Sequence, residues 1–157
     1  MADLRELLTT YVGAGKAMQL ATLDDDGGPY LSHLWFASRF EPDRLYFISR
    51  PNRNHCQYLR ERPRVGGAIL AIQLDGLGQA VRGVTFRGTA AELPTVDVDA
   101  AIATYVARWP AAANAIDPVR LAAGETHHRI YEISVDQWLL YDEEQFRSDP
   151  RQPVGAR

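Results

Sequence analysis

A basic segment between two apolar runs holds the residues of this chain that are best suited to bind an anion. The segment "ISRPNRNHCQYLRERPRV", residues 48–65, contains five of the sixteen arginines, one histidine and the only cysteine. Its pattern predicts a strand that ends at Ile48 and Ser49, a short loop, and a helix that begins at Asn54. A hydroxyl group, free backbone N–H groups and guanidinium groups would meet there, and together they stabilise a phosphate. A solvated arginine-rich loop and helix face would give the same pattern, so both interpretations stay open.

A second segment, "YLSHLWFAS" over residues 30–38, predicts a strand with apolar residues on both faces. Because alternate residues of a strand face opposite sides, His33, Trp35 and Ala37 share one face. This pattern is typical of a strand that is buried on both sides. It is equally typical of a strand that lines a pocket for a flat aromatic ligand.

Other residues that often carry chemistry are poorly placed for it. Cys56 is the only cysteine, which excludes a disulfide framework and a multi-cysteine zinc site. His127 and His128 are adjacent and would face opposite sides of a strand, so they cannot bind one metal ion together. No serine lies in a G-x-S-x-G context. The sequence therefore predicts no metal site and leaves the catalytic residues unknown.

The composition is that of an ordinary globular domain. The chain has 157 residues, of which 46% are hydrophobic, and its formal net charge is −3 at pH 7. We expect a single domain over residues 1–145 and a flexible tail over 146–157. The acidic balance argues against nucleic acid or a membrane as partner. No apolar run approaches the ~20 residues that cross a bilayer, and "MADLRELLTTYV" lacks the features of a signal peptide, so we expect a cytoplasmic protein.

Hairpin-linked strands dominate the rest of the pattern. Turn residues separate six runs that predict strands over 17–23, 30–38, 45–49, 64–74, 79–93 and 129–142. Helices are predicted at the N-terminus, after Pro51 and after Pro94. The last of these has apolar residues at helical spacing, namely Val98, Ile102, Tyr105 and Trp109. The pattern indicates a mainly β protein, a small antiparallel barrel or sandwich with a few packed helices.

Four segments carry a family resemblance: "LATLDDDGGPYLSHLWF", "RLYFIS", "RNHCQYLRERPRV" and "VRGVTFRGTAAEL". Together they resemble the FMN-binding split-barrel superfamily, the pyridoxamine 5'-phosphate oxidase-like proteins, from about Ala17 to Leu93. The later "YVARWP" looks more like a small bacterial branch of these proteins than the biosynthetic oxidase. The resemblance implies a six-stranded antiparallel split β-barrel of Greek-key topology, flanked by a few α-helices. It also implies a homodimer with two FMN molecules at its interface.

The resemblance implies that the second strand lies along the flavin ring. The residues that would contact the ring are Ser32, His33, Leu34 and Trp35. Ile48 and Ser49, at the end of the third strand, would approach the ribityl-phosphate side of the cofactor.

The phosphate would be held at the start of the following helix, where this chain departs from the family pattern. Asn54 and His55 stand where the family usually has Arg-Lys, and Arg50 and Arg53 could supply charge from shifted positions. Arg82 lies beside the glycine that replaces a partner-chain glutamine of the family, so it is a further candidate for cofactor contact. The remaining arginines of the basic segment are predicted to make surface and strand contacts: Arg60, Arg62 and Arg64.

The function implied by the resemblance is an FMN-dependent oxidoreductase with an unknown small-molecule substrate, because the flavin supplies the redox chemistry. Oxidation of vitamin B6 is not expected, because "HHRIYEISVDQWLLYDEEQF" lacks the arginine-rich signature with which the true oxidase holds its substrate. Related barrels bind deazaflavin F420 or haem, and a non-catalytic binding or regulatory domain of the same fold is a third alternative. His33 is the only candidate for a general acid or base.

Overall fold

Helices flank a run of eight strands in the computed structural model of the chain, which describes residues 2–157. The helices span Leu4–Ala14 (α1), Asn54–Glu61 (α2), Asp99–Arg108 (α3) and Pro118–Ala122 (α4), and a 3-10 helix covers Pro110–Asn114. The strands span Ala17–Leu23 (β1), Pro29–Trp35 (β2), Ala37–Arg39 (β3), Arg44–Ser49 (β4), Arg64–Leu70 (β5), Arg82–Glu92 (β6), Arg129–Asp142 (β7) and Arg151–Gly155 (β8). Over this range, none of the helices is long and apolar enough to cross a bilayer.

The strands form one antiparallel sheet that curls on itself. Seven strands follow the order β2-β1-β5-β6-β7-β4-β3, and β8 pairs with β7. The first and last strands of this order, β2 and β3, are separated in sequence only by Phe36. The two ends of the sheet therefore lie next to each other, and the sheet forms a half-barrel that is compatible with a split barrel.

The predicted mainly β class with flanking helices is confirmed, but the predicted number of six strands is wrong. The run over 30–38 was predicted as one strand and is divided at Phe36 into β2 and β3. The Phe36 carbonyl accepts a hydrogen bond from the indole Nε1 of Trp109 at 2.7 Å, so a side chain takes the place of a strand partner at this point.

Strand β8 lies in the segment for which the sequence predicted a flexible tail. It pairs with residues 137–141 of β7 and buries Val154 in the core. Pro153 fits there because β8 is an edge strand, where a missing N–H group is tolerated. The backbone N–H of Asp43 also donates to the carbonyl oxygen of Arg157 at 2.7 Å, which holds the chain beyond β8.

Two hydrophobic clusters lie on opposite faces of the sheet, and β4 contributes to both. Leu45 and Phe47 of β4 belong to the larger cluster, which α1 and α2 also enter. Tyr46 and Ile48 belong to the second cluster, which lies against α3 and α4. This alternation turns Ile48 toward the α3 side of the sheet and Ser49 toward α2.

Candidate functional site

A cavity of about 440 Å³ opens where the ends of β2 and β4 meet α3 and the 3-10 helix. Its lining residues are His33, Leu34, Trp35, Ile48, Tyr105, Trp109, Ala111 and Ala112. The lining is almost entirely apolar and aromatic, and the volume is within the ~300–1,000 Å³ range of small-molecule sites. The cavity can therefore accept a flat apolar group.

Hydrogen bonds to the backbone of β2 and Phe36 hold the aromatic wall of this cavity. Trp109 stands edge-on to Trp35, with 4.9 Å between the ring centroids and 70° between the ring planes. Its indole N–H donates to the carbonyl oxygen of Phe36, and the Tyr105 hydroxyl group donates to the carbonyl oxygen of Trp35 at 3.3 Å. Burial raises the pKa of Tyr105 to about 12, so this hydroxyl group stays protonated at neutral pH.

On the α2 side of the sheet, Ser49 and His55 form a buried polar pair. Ser49 follows Ile48 directly at the end of β4, and His55 lies in the first turn of α2. The Oγ atom of Ser49 and the Nε2 atom of His55 are 2.9 Å apart. Burial and the charge of Arg53 lower the pKa of His55. A hydroxyl group and a titratable imidazole are thus placed together at the N-terminus of a helix.

Two arginines without carboxylate partners in residues 2–157 lie at this helix N-terminus. Arg53 is the N-cap residue of α2, and its side chain makes no capping hydrogen bond. Arg50 and Arg53 are exposed and form no ion pair within residues 2–157. Burial and the charges of Arg50, His127 and Arg53 lower the pKa of His128. The two arginines and the buried polar pair form a cationic cluster that offers an anion both positive charge and free backbone N–H groups.

The other three arginines of the basic segment are paired with carboxylates. Arg60 contacts Glu92 at 3.3 Å, Arg62 contacts Asp25 and Glu61, and Arg64 contacts Asp136. Their predicted role in surface and strand contacts is confirmed. The structure thus divides the segment into a paired part along and after α2 and an unpaired part before it.

Three of the four β2 residues that were predicted to contact the flavin ring lie at the cavity. His33, Leu34 and Trp35 line the cavity, whereas Ser32 does not. His33 and Trp35 are exposed, and Leu34 packs against the larger hydrophobic cluster. Asn54, predicted at the phosphate, is exposed at the start of α2.

Arg82 does not join the cavity within this chain. It begins β6 and contacts Glu144 at 3.7 Å, and its buried Nε atom has no hydrogen-bond partner in the part of the chain that the structure describes. A contact from Arg82 to the cofactor of a second chain stays a prediction of the family resemblance.

Sequence reasoning missed the half of the cavity that lies on α3 and the 3-10 helix. Tyr105 and Trp109 recur at helical spacing, and this pattern predicted a helix with a buried face. It contains no signal that the aromatic rings line a cavity, because a helix packed on a sheet has the same pattern. In residues 2–157 no group of three or more His, Cys, Asp or Glu side chains could hold a metal ion.

A single protein-family model matches nearly all of the chain. The family model described as pyridoxamine 5'-phosphate oxidase matches residues 4–142. The chain belongs to the pyridoxamine 5'-phosphate oxidase family. The resemblance seen in the sequence is thereby confirmed, and the match spans the cavity, the cationic cluster and strands β1–β7. A comparison with curated proteins finds no match.

Solved structures of similar fold bind different cofactors. A haem-binding protein from Mycobacterium smegmatis superposes with a TM-score of 0.78 at 19% identity, covering 99% of this chain and 59% of that protein. An FAD-binding protein from Mesorhizobium loti has a TM-score of 0.65 at 23% identity, with 87% and 92% covered. A haem storage protein from Vibrio cholerae has a TM-score of 0.63 at 17% identity, with 89% and 95% covered. This member of the oxidase family thus shares its fold with flavin-binding and haem-binding proteins. The chain spans about three-fifths of the length of the Mycobacterium smegmatis protein.

Proposed function

We propose that this family member binds FMN and acts as an FMN-dependent oxidoreductase on a small-molecule substrate. The observation that carries the proposal is that an apolar aromatic cavity and a cationic cluster without carboxylate partners in residues 2–157 both lie at the C-terminal end of β4. Ile48 lines the cavity, and the next residue, Ser49, is bonded to His55 in the cluster. FMN has a flat ring at one end and a phosphate at the other, so it matches both features in one molecule.

The cavity fits the ring part of FMN. Leu34, Ile48 and the indole rings of Trp35 and Trp109 present apolar surface of the kind on which an aromatic ring packs. The hydrogen bonds from Tyr105 and Trp109 to backbone carbonyl groups hold these walls before a ligand arrives. A site arranged in advance loses less conformational entropy on binding.

The cationic cluster fits the phosphate despite the departure from the family's Arg-Lys pair. Arg50 and Arg53 carry positive charge and form no ion pair with a carboxylate within residues 2–157. Ser49 and His55 add a hydroxyl group and an imidazole. A charge-assisted hydrogen bond contributes about 1.5–3 kcal/mol, so these groups offset the loss of the usual pair.

FMN, when bound, supplies the capacity to accept and donate electrons or hydride. The residues of this chain hold the cofactor and exclude water from one side of it. His33 is the only imidazole among the side chains that line the cavity, and it is therefore the candidate to exchange a proton with a substrate.

Absorbance and fluorescence titrations of the purified chain with FMN test the proposal. We expect a flavin spectrum or saturable quenching of flavin fluorescence. The double variant Arg53→Ala, His55→Gln should bind FMN at least about tenfold more weakly, because it loses charge-assisted contacts to the phosphate. Arg62→Ala is the matched control, since Arg62 contacts Asp25 and Glu61 instead. The proposal would be overturned if the wild-type chain does not bind FMN, or if the double variant binds FMN as tightly as the wild type.

Haem is the second candidate ligand of the same cavity. His33 lines the cavity and offers an imidazole, the commonest axial ligand of haem iron, and two proteins of similar fold are described as haem-binding or haem-storing. A Soret band that appears on addition of haem and disappears in His33→Ala would support this candidate over FMN. A band characteristic of deazaflavin would point to F420.

We also propose that the chain forms a homodimer through the face of the sheet on which the side chains of Leu31 and Trp35 are exposed. Leu31 is 67% exposed and Trp35 is 58% exposed on this face, beside small residues of β1 and β5 such as Ala21 and Gly66. Exposed apolar residues next to flat surface are typical of a protein interface. Trp35 belongs both to this face and to the cavity, so a second chain would help to enclose the ligand.

A further inference from the structure

Arg108, at the end of α3, occupies an unusual place behind the cavity wall. Its guanidinium group donates hydrogen bonds to the carbonyl oxygens of Gly13, at 3.2 Å, and of Gly15. The same group lies over the ring of Phe36 at 4.7 Å and over the ring of Trp109 at 4.9 Å. Arg108 forms no ion pair with a carboxylate among residues 2–157. Its partners are therefore backbone carbonyl groups and two aromatic rings.

These contacts connect three elements that are distant in the sequence. Gly13 and Gly15 lie at the C-terminal end of α1, where the helix dipole is negative and favours a cation. Phe36 is the residue that separates β2 from β3, and Trp109 follows α3. The Phe36 carbonyl also receives the indole N–H of Trp109. Arg108 therefore packs against the Trp109 ring itself and against Phe36, the residue whose carbonyl group binds that ring.

We propose that Arg108 is a positioning residue of the ring-binding cavity. It holds Trp109 edge-on to Trp35 and so determines how tightly the site binds the flat ring of its ligand, independently of the phosphate. This inference rests on the proposed function, in which the cavity takes the flavin ring. The ring and the phosphate are then recognised by separate groups, Trp35 and Trp109 for the first and the cationic cluster for the second.

Riboflavin separates the two parts of the site, because it has the flavin ring but no phosphate. In Arg108→Met we expect the affinities for riboflavin and FMN to fall by the same factor, about tenfold, because the stacked cation and its hydrogen bonds are both lost. In Arg53→Ala, His55→Gln only the affinity for FMN should fall. Arg44→Met is the matched control. Arg44 also donates to a backbone carbonyl group, that of Asp43 at 2.9 Å, but it lies at the end of β4 that is remote from the cavity.

Arg108→Lys distinguishes positioning from simple capping of α1. Lysine keeps a positive charge for the carbonyl oxygens of Gly13 and Gly15, but it has no planar group to stack on Trp109. We expect this variant to keep more of the wild-type thermal stability than Arg108→Met and still to bind riboflavin weakly. Near-UV circular dichroism reports the packing of Trp35 against Trp109 without any ligand, with Trp109→Phe as the reference for its loss.

The outcomes separate the inference from the proposed function. If the wild type binds neither flavin, the proposed function is overturned, and the near-UV signal of Arg108→Met alone decides whether Arg108 positions Trp109. The inference is overturned if the wild type binds both flavins and the folded variants Arg108→Met and Arg108→Lys bind riboflavin as tightly as the wild type does. It is also overturned if either variant weakens FMN binding alone. Should Arg108→Met not fold, Arg108→Lys carries the test.

Discussion

At the scale of single residues, His55 places a titratable group where the family resemblance implies a permanently charged Arg-Lys pair. It is buried and bonded to Ser49, and burial together with the charge of Arg53 lowers its pKa. The imidazole is therefore mostly neutral at neutral pH in the free chain. A bound phosphate would favour its protonated form, so the strength of phosphate binding becomes a function of pH.

We expect the affinity for FMN to rise as the pH is lowered from 8 to about 6.5. Because the pKa of His55 is low in the free chain and is raised by a bound phosphate, binding takes up a proton at pH values between the two. Titrations at several pH values measure the effect, and riboflavin, which has no phosphate, should show none of it.

His55→Gln should remove this pH dependence. His128→Gln measures the share of His128, whose pKa is lowered by burial and by the charges of Arg50, His127 and Arg53. A dependence that persists when both histidines are replaced, or that riboflavin shares, would rule out the histidines as its source.

Asp43 forms hydrogen bonds with residues near both ends of the chain, Arg5 and Arg157. It is fully buried, and its carboxylate accepts hydrogen bonds from Arg5, from the indole Nε1 of Trp138 at 2.8 Å and from the backbone N–H of Arg157 at 3.3 Å. Burial raises the pKa of Asp43, but these hydrogen bonds outweigh it and leave the pKa below its ordinary value. Asp43 is thus held as a charged carboxylate with several donors.

Asp43→Asn should lower the free energy of unfolding by about 3–5 kcal/mol, the cost of leaving one partner of a buried ion pair alone. Asp136→Asn is the matched control, because Asp136 pairs with Arg64 at the exposed surface and should cost less than about 1 kcal/mol. Urea unfolding at neutral pH measures both values.

The pH dependence of the Asp43 contribution has a definite sign. Since the pKa is lowered in the folded chain, the contribution is present above the unfolded pKa of about 3.9 and is lost as the pH falls through the folded pKa. The difference between wild type and Asp43→Asn should therefore vanish in acid. Equal costs for Asp43→Asn and Asp136→Asn at neutral pH would refute this role of Asp43.

At the scale of elements, strand β8 completes the sheet beyond the part that the family model matches. The match ends at residue 142, and β8 begins at Arg151. It covers the edge of β7 from residue 137 to 141 and contributes Val154 to the larger hydrophobic cluster. An uncovered β-strand edge is open to pairing with other chains, and β8 occupies this stretch of the β7 edge.

Val154→Asp should release β8 from β7, because a carboxylate would have to be buried without a partner. We expect amide hydrogen exchange at residues 137–141 to accelerate at least about tenfold, while exchange in β1 changes little. Pro153→Ser is the control, because Pro153 is exposed on the same strand. Unchanged protection in Val154→Asp would mean that pairing alone holds β8 in place.

At the scale of the whole molecule, the proposed dimer predicts a specific effect of Leu31. The wild type should have twice the 17.5 kDa mass of one chain, and Leu31→Asp should be monomeric because it places a charge in an apolar interface. Val119→Asp is the control, since Val119 is exposed on α4, outside the proposed face. Sedimentation velocity measures the masses. A monomeric wild type, or a dimeric Leu31→Asp, would exclude this interface.

The sequence by itself determined the class of fold and one end of the site. Alternation and turn residues are local signals, and they predicted β1 over the residues where it is found. The predicted helix start at Asn54 is also that of α2, so the strand end at Ser49 and the helix start around His55 could be recognised from spacing. These features depend on residues that are close in sequence, which is why a pattern can reveal them.

Only the tertiary structure decided how the cavity is closed. The interruption of the second predicted strand depends on a hydrogen bond between Phe36 and Trp109, 73 residues apart. Arg108 reaches Gly13 across 95 residues, and β8 forms because β7 leaves an edge to which a proline-containing strand can pair. Such contacts link residues that no local pattern connects. They arise only when the curled sheet brings α1, α3 and the C-terminal segment together.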